Sequence, residues 1–262
     1  MLLSLFQKKP LLDEAAVHWL FDCYAWALRE FDAQVFREQT VLVQPNDRFF
    51  PGRVDSIDGM ANLIFERVKG YAGVAHWPTR LVDGRQCPTD AGDDTARVLI
   101  VGALRGDKGV APEQVEERQR LQLPYDPAMV NNPEAMIASL SHQLAHYLAT
   151  LAKEPPPGGA QSWFQATEVL AVFLGFGLMF ANSAFNVRLP KCGSCAPQPV
   201  DRQSFLSQYD ITYALAIFCA LKGIGTAEVL PHLKASLRGF YKKAAREVAG
   251  NTAALQRLQQ IA

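Results

Sequence analysis

The stretch NPEAMIASLSHQLAHYLATL, residues 132–151, predicts the most clearly delimited helix in this chain. Asn132 is a favourable N-cap, Pro133 suits the first helical position, and Glu134 in the first turn complements the helix dipole. The helical pattern continues to about Lys153. Apolar residues recur along it at helical spacing. They are Ile137, Leu140, Leu144, Leu148 and Leu151. This helix is therefore expected to pack one face against a protein core.

The residues before this helix predict shorter elements. An amphipathic helix begins after the N-cap Asp13 and ends near Phe31, and residues 59–71 also have helical character. Segments rich in β-branched residues predict strands at residues 40–43, 74–82 and 96–101.

The residues after this helix are almost wholly helical in pattern. Helices are predicted at about 162–186, 207–222 and 226–249, the last capped by Thr226. The apolar stretch within the first of them, residues 169–181, is shorter than the roughly 20 residues that cross a bilayer. We therefore expect a helix buried in protein. Gly175 and Gly177 inside it indicate the close approach of another helix or of the sheet, or a bend.

These segments together predict an α+β fold. We expect one domain over residues 1–262, with a small mixed sheet in residues 1–130 and a mainly helical half in residues 131–262.

Composition restricts the classes of partner. The chain has 26 basic and 26 acidic residues, so it lacks the basic excess that neutralises a run of phosphates. We expect neither a nucleic acid nor a membrane as its partner. The five cysteines are odd in number and unevenly spaced, unlike the disulfide framework of a small secreted domain. The first ten residues also lack the features of a secretory signal, and we expect a cytoplasmic protein.

His142 and His146 are the strongest chemical signal in the sequence. Four residues apart on a helix, they share one face, which points away from the apolar stripe. Two neutral imidazoles at this spacing can reach one metal ion at about 2.0 to 2.1 Å. The alternative is a pair of packed or hydrogen-bonded histidines on a partly exposed face. A divalent metal site also needs a third ligand.

Glu168 is the candidate for that third ligand. It is the only charged residue between Glu154 and Arg188. A carboxylate buried in so apolar a stretch needs a cation, a metal ion or strong hydrogen-bond donors close by. The alternative is a place in the exposed first turn of its helix, where it would complement the helix dipole.

The sequence His142-Gln143-Leu144-Ala145-His146, followed by Glu168 on a later helix, resembles the HExxH zinc metallopeptidases of the gluzincin type. The resemblance implies a zincin-like fold and one Zn²⁺ per chain, held by His142, His146 and Glu168. It also implies hydrolysis of a peptide or amide by zinc-bound water.

The chain departs from this family at the general base, where Gln143 stands in place of glutamate. Glutamine cannot take up and release a proton, and loss of a positioned acid/base removes about 10²- to 10⁴-fold of rate. We therefore expect weak or absent peptidase activity. Asp210 is a possible substitute base. Its alternatives are a helix cap or a hydrogen bond to a ligating histidine.

Three functional hypotheses follow, of which the third is a membrane-associated protein that inserts residues 169–185. The first is a zinc-binding, metallopeptidase-like protein that is inactive or weakly hydrolytic. The second is a non-enzymatic interaction module, in which the histidine pair is vestigial and the cleft binds a peptide or protein. Cys192 and Cys195 form a lone CxxC, for which metal, redox and turn-stabilising roles stay open.

Overall fold

A computed structural model describes residues 10–85, 100–184 and 204–262. Its N-terminal part contains α1 (Glu14–Glu30), α2 (Ala33–Glu38) and α3 (Ile57–Ala72). Side chains cap the starts of these helices, as the sequence predicts for the first. Asp13 accepts a hydrogen bond from the backbone of α1, Asp32 from that of α2, and Ser56 from that of α3.

Two short strand pairs follow these helices. Strands β1 (Thr79–Asp83) and β4 (Leu121–Tyr125) pair in parallel, with Thr79 opposite Leu121 and Asp83 opposite Tyr125. Strands β2 (Val101–Gly102) and β3 (Gly109–Val110) are antiparallel. The expected single mixed sheet is therefore divided, in the described residues, into two separate pairs.

The C-terminal half is a packed set of helices. They are α4 (Pro133–Thr150), α5 (Trp163–Ala171), α6 (Gly177–Ser183), α7 (Gln208–Lys222), α8 (Thr226–Val229), α9 (Ala235–Gly250) and α10 (Thr252–Gln259). Helix α7 packs against α6 and α9, and α4 packs against α3, α5 and α6. The α+β fold class with a mainly helical C-terminal half is confirmed.

The strand predicted at residues 40–43 is wrong. This segment crosses the helical chain where α5 gives way to α6, and Val43 donates a backbone hydrogen bond to the carbonyl of Gly175. Gly175 has φ of 103°, and a Cβ added there would overlap the carbonyl oxygen of Val41. A segment does approach Gly175 closely, but it is the irregular stretch at residues 40–43 and not the helix or sheet that was expected. The β-branched residues dock on a helix break instead of a sheet edge.

Two other predicted boundaries change. The strand expected at residues 74–82 begins only at Thr79, and residues 96–99 of the third expected strand lie outside the described residues. The helix expected over 226–249 is broken after α8, because Pro231 lacks the N–H that would continue it.

One helical stretch, Gly159–Ser183, is long and apolar enough to cross a membrane. In its most apolar window 89% of the residues are buried inside the protein. The expectation of a helix covered by protein therefore fits its surroundings.

Candidate functional site

The turn between α4 and α5 is held by helix α1. The indole of Trp19 donates to the carbonyl of Pro157 at 3.0 Å, and that of Trp26 donates to the carbonyl of Glu154 at 2.9 Å. These bonds fix the Pro-Gly segment, residues 155–159, at which the chain reverses its direction. Helix α5 then runs back along α4, over the face that carries the two histidines.

His142 is engaged by α5. Its Nε2 lies 3.0 Å from Oγ1 of Thr167, and Thr167 donates its single hydroxyl proton to the carbonyl of Phe164 at 2.9 Å. With its proton used in that bond, the hydroxyl oxygen is placed to accept from Nε2 of His142. The rings of Phe180 and Phe205 pack against this imidazole, with centroids 6.1 and 5.9 Å away.

His146 is engaged one turn further along α4. The indole of Trp163 donates to its Nδ1 at 3.0 Å, which requires a lone pair on Nδ1 and the proton on Nε2. The ring of Phe164 stacks beside it, 6.1 Å away and tilted by 17°. Burial lowers the pKa of His146, which favours the neutral ring. Aromatic side chains therefore cover the face of α4 that carries the two histidines.

Glu168 is fully buried. It is the sixth residue of α5, which begins at Trp163, so the alternative of an exposed first turn is wrong. Its Oε2 accepts backbone hydrogen bonds from Phe205 at 3.2 Å and Leu206 at 2.7 Å. The carboxylate thereby ties the segment before α7 to α5, and backbone donors meet part of its expected need for partners.

The three predicted ligands meet in one region but do not form a metal cage. Across residues 10–85, 100–184 and 204–262, no three His, Cys, Asp or Glu side chains are grouped to hold a metal ion. A zinc-bound histidine presents a lone pair to the metal and usually donates its other N–H to an oxygen. His146 instead accepts at Nδ1 and keeps a proton on Nε2. As these side chains lie, they do not fit a zinc ion.

Gln143 has a structural partner. Its side-chain amide donates to the carbonyl of Pro124 in β4 at 3.0 Å. This bond links α4 to the parallel strand pair. An ionised glutamate has no proton to donate at this position, so the amide suits the carbonyl that it faces.

Asp210 is a helix cap. Its Oδ2 accepts from the backbone and the hydroxyl of Ser207, and Ser207 in turn accepts from the backbone of Asp210. This capping box begins α7. Of the roles considered for Asp210, the structure therefore places it in the cap.

The cysteines divide into two sets. Cys23 and Cys219 are buried free thiols, as expected of core residues, and burial raises the pKa of Cys219 to about 12. Cys87, Cys192 and Cys195 lie outside the described residues.

A second candidate site is a groove of about 1020 Å³ between residues 45–57, α3 and the start of α4, here called the 45–57 groove. Its floor is apolar and comes from Met60, Ile64 and Ile137. Val54 and Ile57 on its rim are 41% and 54% exposed. Large apolar side chains left in water beside a concave surface mark a site for an apolar ligand group.

One wall of the 45–57 groove is fixed in place. The side chain of Asn46 accepts from the backbone of Arg48 and Phe49, which closes a turn. The hydroxyl of Tyr71 donates to the carbonyl of Phe49 at 2.7 Å, and its ring packs on Phe49 and Phe50. The groove is therefore held by contacts within the protein.

The sequence prediction missed the partners of the histidines. Trp163 and Thr167 are four residues apart on α5, the same spacing as His142 and His146 on α4. Antiparallel helices pair such positions in reverse order, and His146 meets Trp163 where His142 meets Thr167. The sequence therefore did contain a signal for these contacts: two pairs with i,i+4 spacing, one on each of two consecutive helices that residues 151–162 connect.

Comparison with family models, with curated proteins and with solved structures returns no match to this chain.

Proposed function

We propose that this chain binds a protein segment in the 45–57 groove and does not hydrolyse it. The observation that carries this proposal is the groove itself, with an apolar floor, exposed apolar rim residues and a wall held by hydrogen bonds. A preformed apolar surface costs little ordering free energy when a ligand binds to it.

The region of the histidines supports the absence of hydrolysis. Gln143 replaces the general base of the resembled peptidases, and its amide is occupied by the carbonyl of Pro124. His142 contacts Thr167 and His146 accepts from Trp163, so both histidines serve in the contact between α4 and α5. In this proposal the chain is a metallopeptidase-like pseudoenzyme whose histidines stabilise the fold.

The charges of the groove indicate the chemistry of its partner. Three carboxylates line it, those of Asp47, Asp55 and Glu134, against the single guanidinium of Arg53. A peptide with apolar side chains beside a lysine or arginine complements both the floor and this acidic excess. We therefore propose a peptide of that composition as the partner.

Selection from phage-displayed random peptides tests the proposal. We expect wild-type protein to enrich sequences with a cluster of apolar residues next to lysine or arginine. Fluorescence anisotropy with an enriched peptide then compares Ile57→Arg with Val110→Arg. Both residues are 54% exposed, but only Ile57 lines the groove.

Ile57→Arg places a positive charge and a long side chain on the rim, and we expect it to weaken binding at least about tenfold. Val110→Arg is expected to leave the affinity unchanged. Failure to enrich any peptide, or equal affinity in the two variants, would overturn the proposal.

Zinc binding is the second candidate, and the packing of α5 on α4 favours it. Glu168 follows Thr167, the residue that His142 contacts, and Glu168 and His142 both contact Phe205. Binding would require Trp163 to release His146 and the proton of His146 to leave Nε2. The backbone of both helices would stay in place.

Trp163→Phe tests this second candidate, because phenylalanine keeps the packing but lacks the indole donor. If the site binds zinc, calorimetric titration is expected to show tighter binding in Trp163→Phe than in wild type, and none in His146→Ala. His18→Ala, which removes an exposed histidine on α1, is the control. The absence of binding in both wild type and Trp163→Phe would exclude the candidate.

A further inference from the structure

Arg105 is a buried guanidinium that forms no ion pair with a carboxylate of the described residues. The residue is only 1% exposed. Nη1 donates to the carbonyl of Phe31 at 3.3 Å and Nη2 to the hydroxyl of Thr40 at 2.7 Å. Nε has no hydrogen-bond partner. Two of the five N–H groups of the guanidinium are used, which leaves three.

The charge of Arg105 persists in this environment. Burial lowers its pKa to about 10, so the group stays positive at neutral pH. The carboxylate of Asp32, which is exposed and caps α2, opposes this lowering of the pKa through its negative charge. The ring of Phe173 lies 5.5 Å from the guanidinium carbon and offers a cation–π contact. A buried charge ordinarily has a close counter-charge, and none of the described residues forms an ion pair with Arg105.

Arg105 lines a cavity of about 280 Å³ between α2, the end of α3 and the loop before β3. The volume exceeds that of several waters, each of which occupies about 30 Å³ in the liquid. Gly73 and Gly106 form part of the wall in the left-handed conformation, with φ of 76° and 85°. A Cβ added to Gly73 would lie 3.6 Å from Nε of Arg105, so the unpartnered edge faces this wall.

The other charged and titratable groups near the cavity are mixed in sign. His76 lines it and holds the carbonyl of Ala103 through Nε2, which leaves Nδ1 as an acceptor while the ring is neutral. The carboxylate of Asp107 is exposed at the rim. Burial lowers the pKa of Lys222, the nearby charge of Arg105 lowers it further, and Lys222 donates to two backbone carbonyls of α2. The interior side of the cavity is therefore cationic.

We propose that this cavity binds a small oxyanion, a phosphate or carboxylate group, which accepts hydrogen bonds from Arg105. The anion supplies a counter-charge in direct contact with the guanidinium, whereas Asp32 acts on Arg105 only through its charge at a distance. Guanidinium N–H groups match the oxygens of such anions in geometry as well as in charge. This site is separate from the 45–57 groove and does not depend on the function proposed for it.

Gly70 offers a matched pair of test variants. It lines the cavity within helix α3, and a Cβ added there meets nothing within 4 Å. Gly70→Glu and Gly70→Gln therefore introduce side chains of the same size that differ in charge. Calorimetry at low ionic strength measures binding of inorganic phosphate, and acetate in a second series distinguishes a phosphate from a carboxylate site.

We expect wild-type protein to bind one of these anions with Kd below about 1 mM. Gly70→Gln is expected to stay within about twofold of wild type, and Gly70→Glu to bind at least about tenfold more weakly, because its carboxylate repels the anion. Arg105→Gln is expected to abolish binding if it folds. No binding of either anion by wild type, or equal affinity in the two Gly70 variants, would assign Arg105 a purely structural role.

Discussion

At the scale of single residues, hydrogen-bond direction decides what the candidate site can do. An indole is only a donor, so Trp163 defines Nδ1 of His146 as an acceptor. The hydroxyl of Thr167 donates to the carbonyl of Phe164, so its oxygen is placed to accept from Nε2 of His142. His146 therefore keeps its proton on Nε2 while Trp163 occupies the lone pair of Nδ1, whereas a zinc ligand presents a lone pair to the metal.

The stability of the fold is expected to fall on acidification because of His146. Burial lowers its pKa from the ordinary value of 6.5, so the unfolded chain binds a proton at higher pH than the folded protein does. The free energy of unfolding then decreases as pH falls through about 6.5 and continues to decrease towards the lower folded pKa.

Chemical denaturation between pH 7.5 and 5, values chosen to bracket the histidine pKa of about 6.5, measures this dependence. His76, whose pKa is also lowered by burial, contributes in the same direction. His146→Phe is therefore expected to reduce the pH dependence without removing it. A dependence as steep in His146→Phe as in wild type would contradict this role.

Gln143→Glu is expected to destabilise the protein at neutral pH and to confer no peptidase activity. The variant replaces the donor that faces the carbonyl of Pro124 with a carboxylate, and loss of such a bond costs about 1 kcal/mol. Denaturation curves compare it with Gln122→Glu, the same change at an exposed position on β4. Equal stability of the two variants, or a gain of hydrolysis in Gln143→Glu, would refute the assignment.

At the scale of elements, the contact between residues 40–43 and the helix break at Gly175 joins the two halves of the chain. The carbonyl of Gly175 accepts from Val43, while the missing side chain of Gly175 leaves room for the backbone of Val41. The same break separates α5, which carries Glu168, from α6. The position of the candidate site therefore depends on a glycine in a conformation that other residues rarely adopt.

Gly175→Ala is expected to destabilise the protein by about 3 kcal/mol or more, because a positive φ and a backbone overlap both oppose the added methyl group. Gly239→Ala is the control, since Gly239 is exposed in α9 with nothing within 4 Å of an added Cβ. It should raise stability by up to about 1 kcal/mol. Thermal unfolding compares the two, and similar melting temperatures would show that residues 40–43 adapt to the change.

At the scale of the whole molecule, the sequence predicted the features that depend on neighbouring residues in the chain. Asn132, Asp13 and Ser207 each act on residues of their own helix, so α4, α1 and α7 begin close to where the pattern placed them. The segment at residues 40–43 has strand-like composition, but its partner is a helix more than a hundred residues away. The composition of a segment does not identify a partner that lies so far away in the chain.

The candidate site was predictable to the same extent. Helical spacing placed His142 and His146 on one face, and the isolated charge of Glu168 singled it out within an apolar stretch. The partners of these side chains depend on how α5 returns along α4. That path is fixed by Trp19 and Trp26, which belong to α1 and lie over a hundred residues away. The sequence contains no signal that Arg105 is buried, because the groups around its guanidinium, Phe31, Thr40 and Phe173, are far from it in the chain.

The most direct test of the central claim, that His142, His146 and Glu168 serve the fold and hold no metal, is the zinc content of purified protein. Untagged wild type, His146→Ala and His18→Ala are exposed to zinc, freed of excess by gel filtration and measured by elemental analysis. The account predicts far less than one zinc per chain in all three proteins. One zinc per chain in wild type and His18→Ala, lost in His146→Ala, would contradict it and establish the metal site.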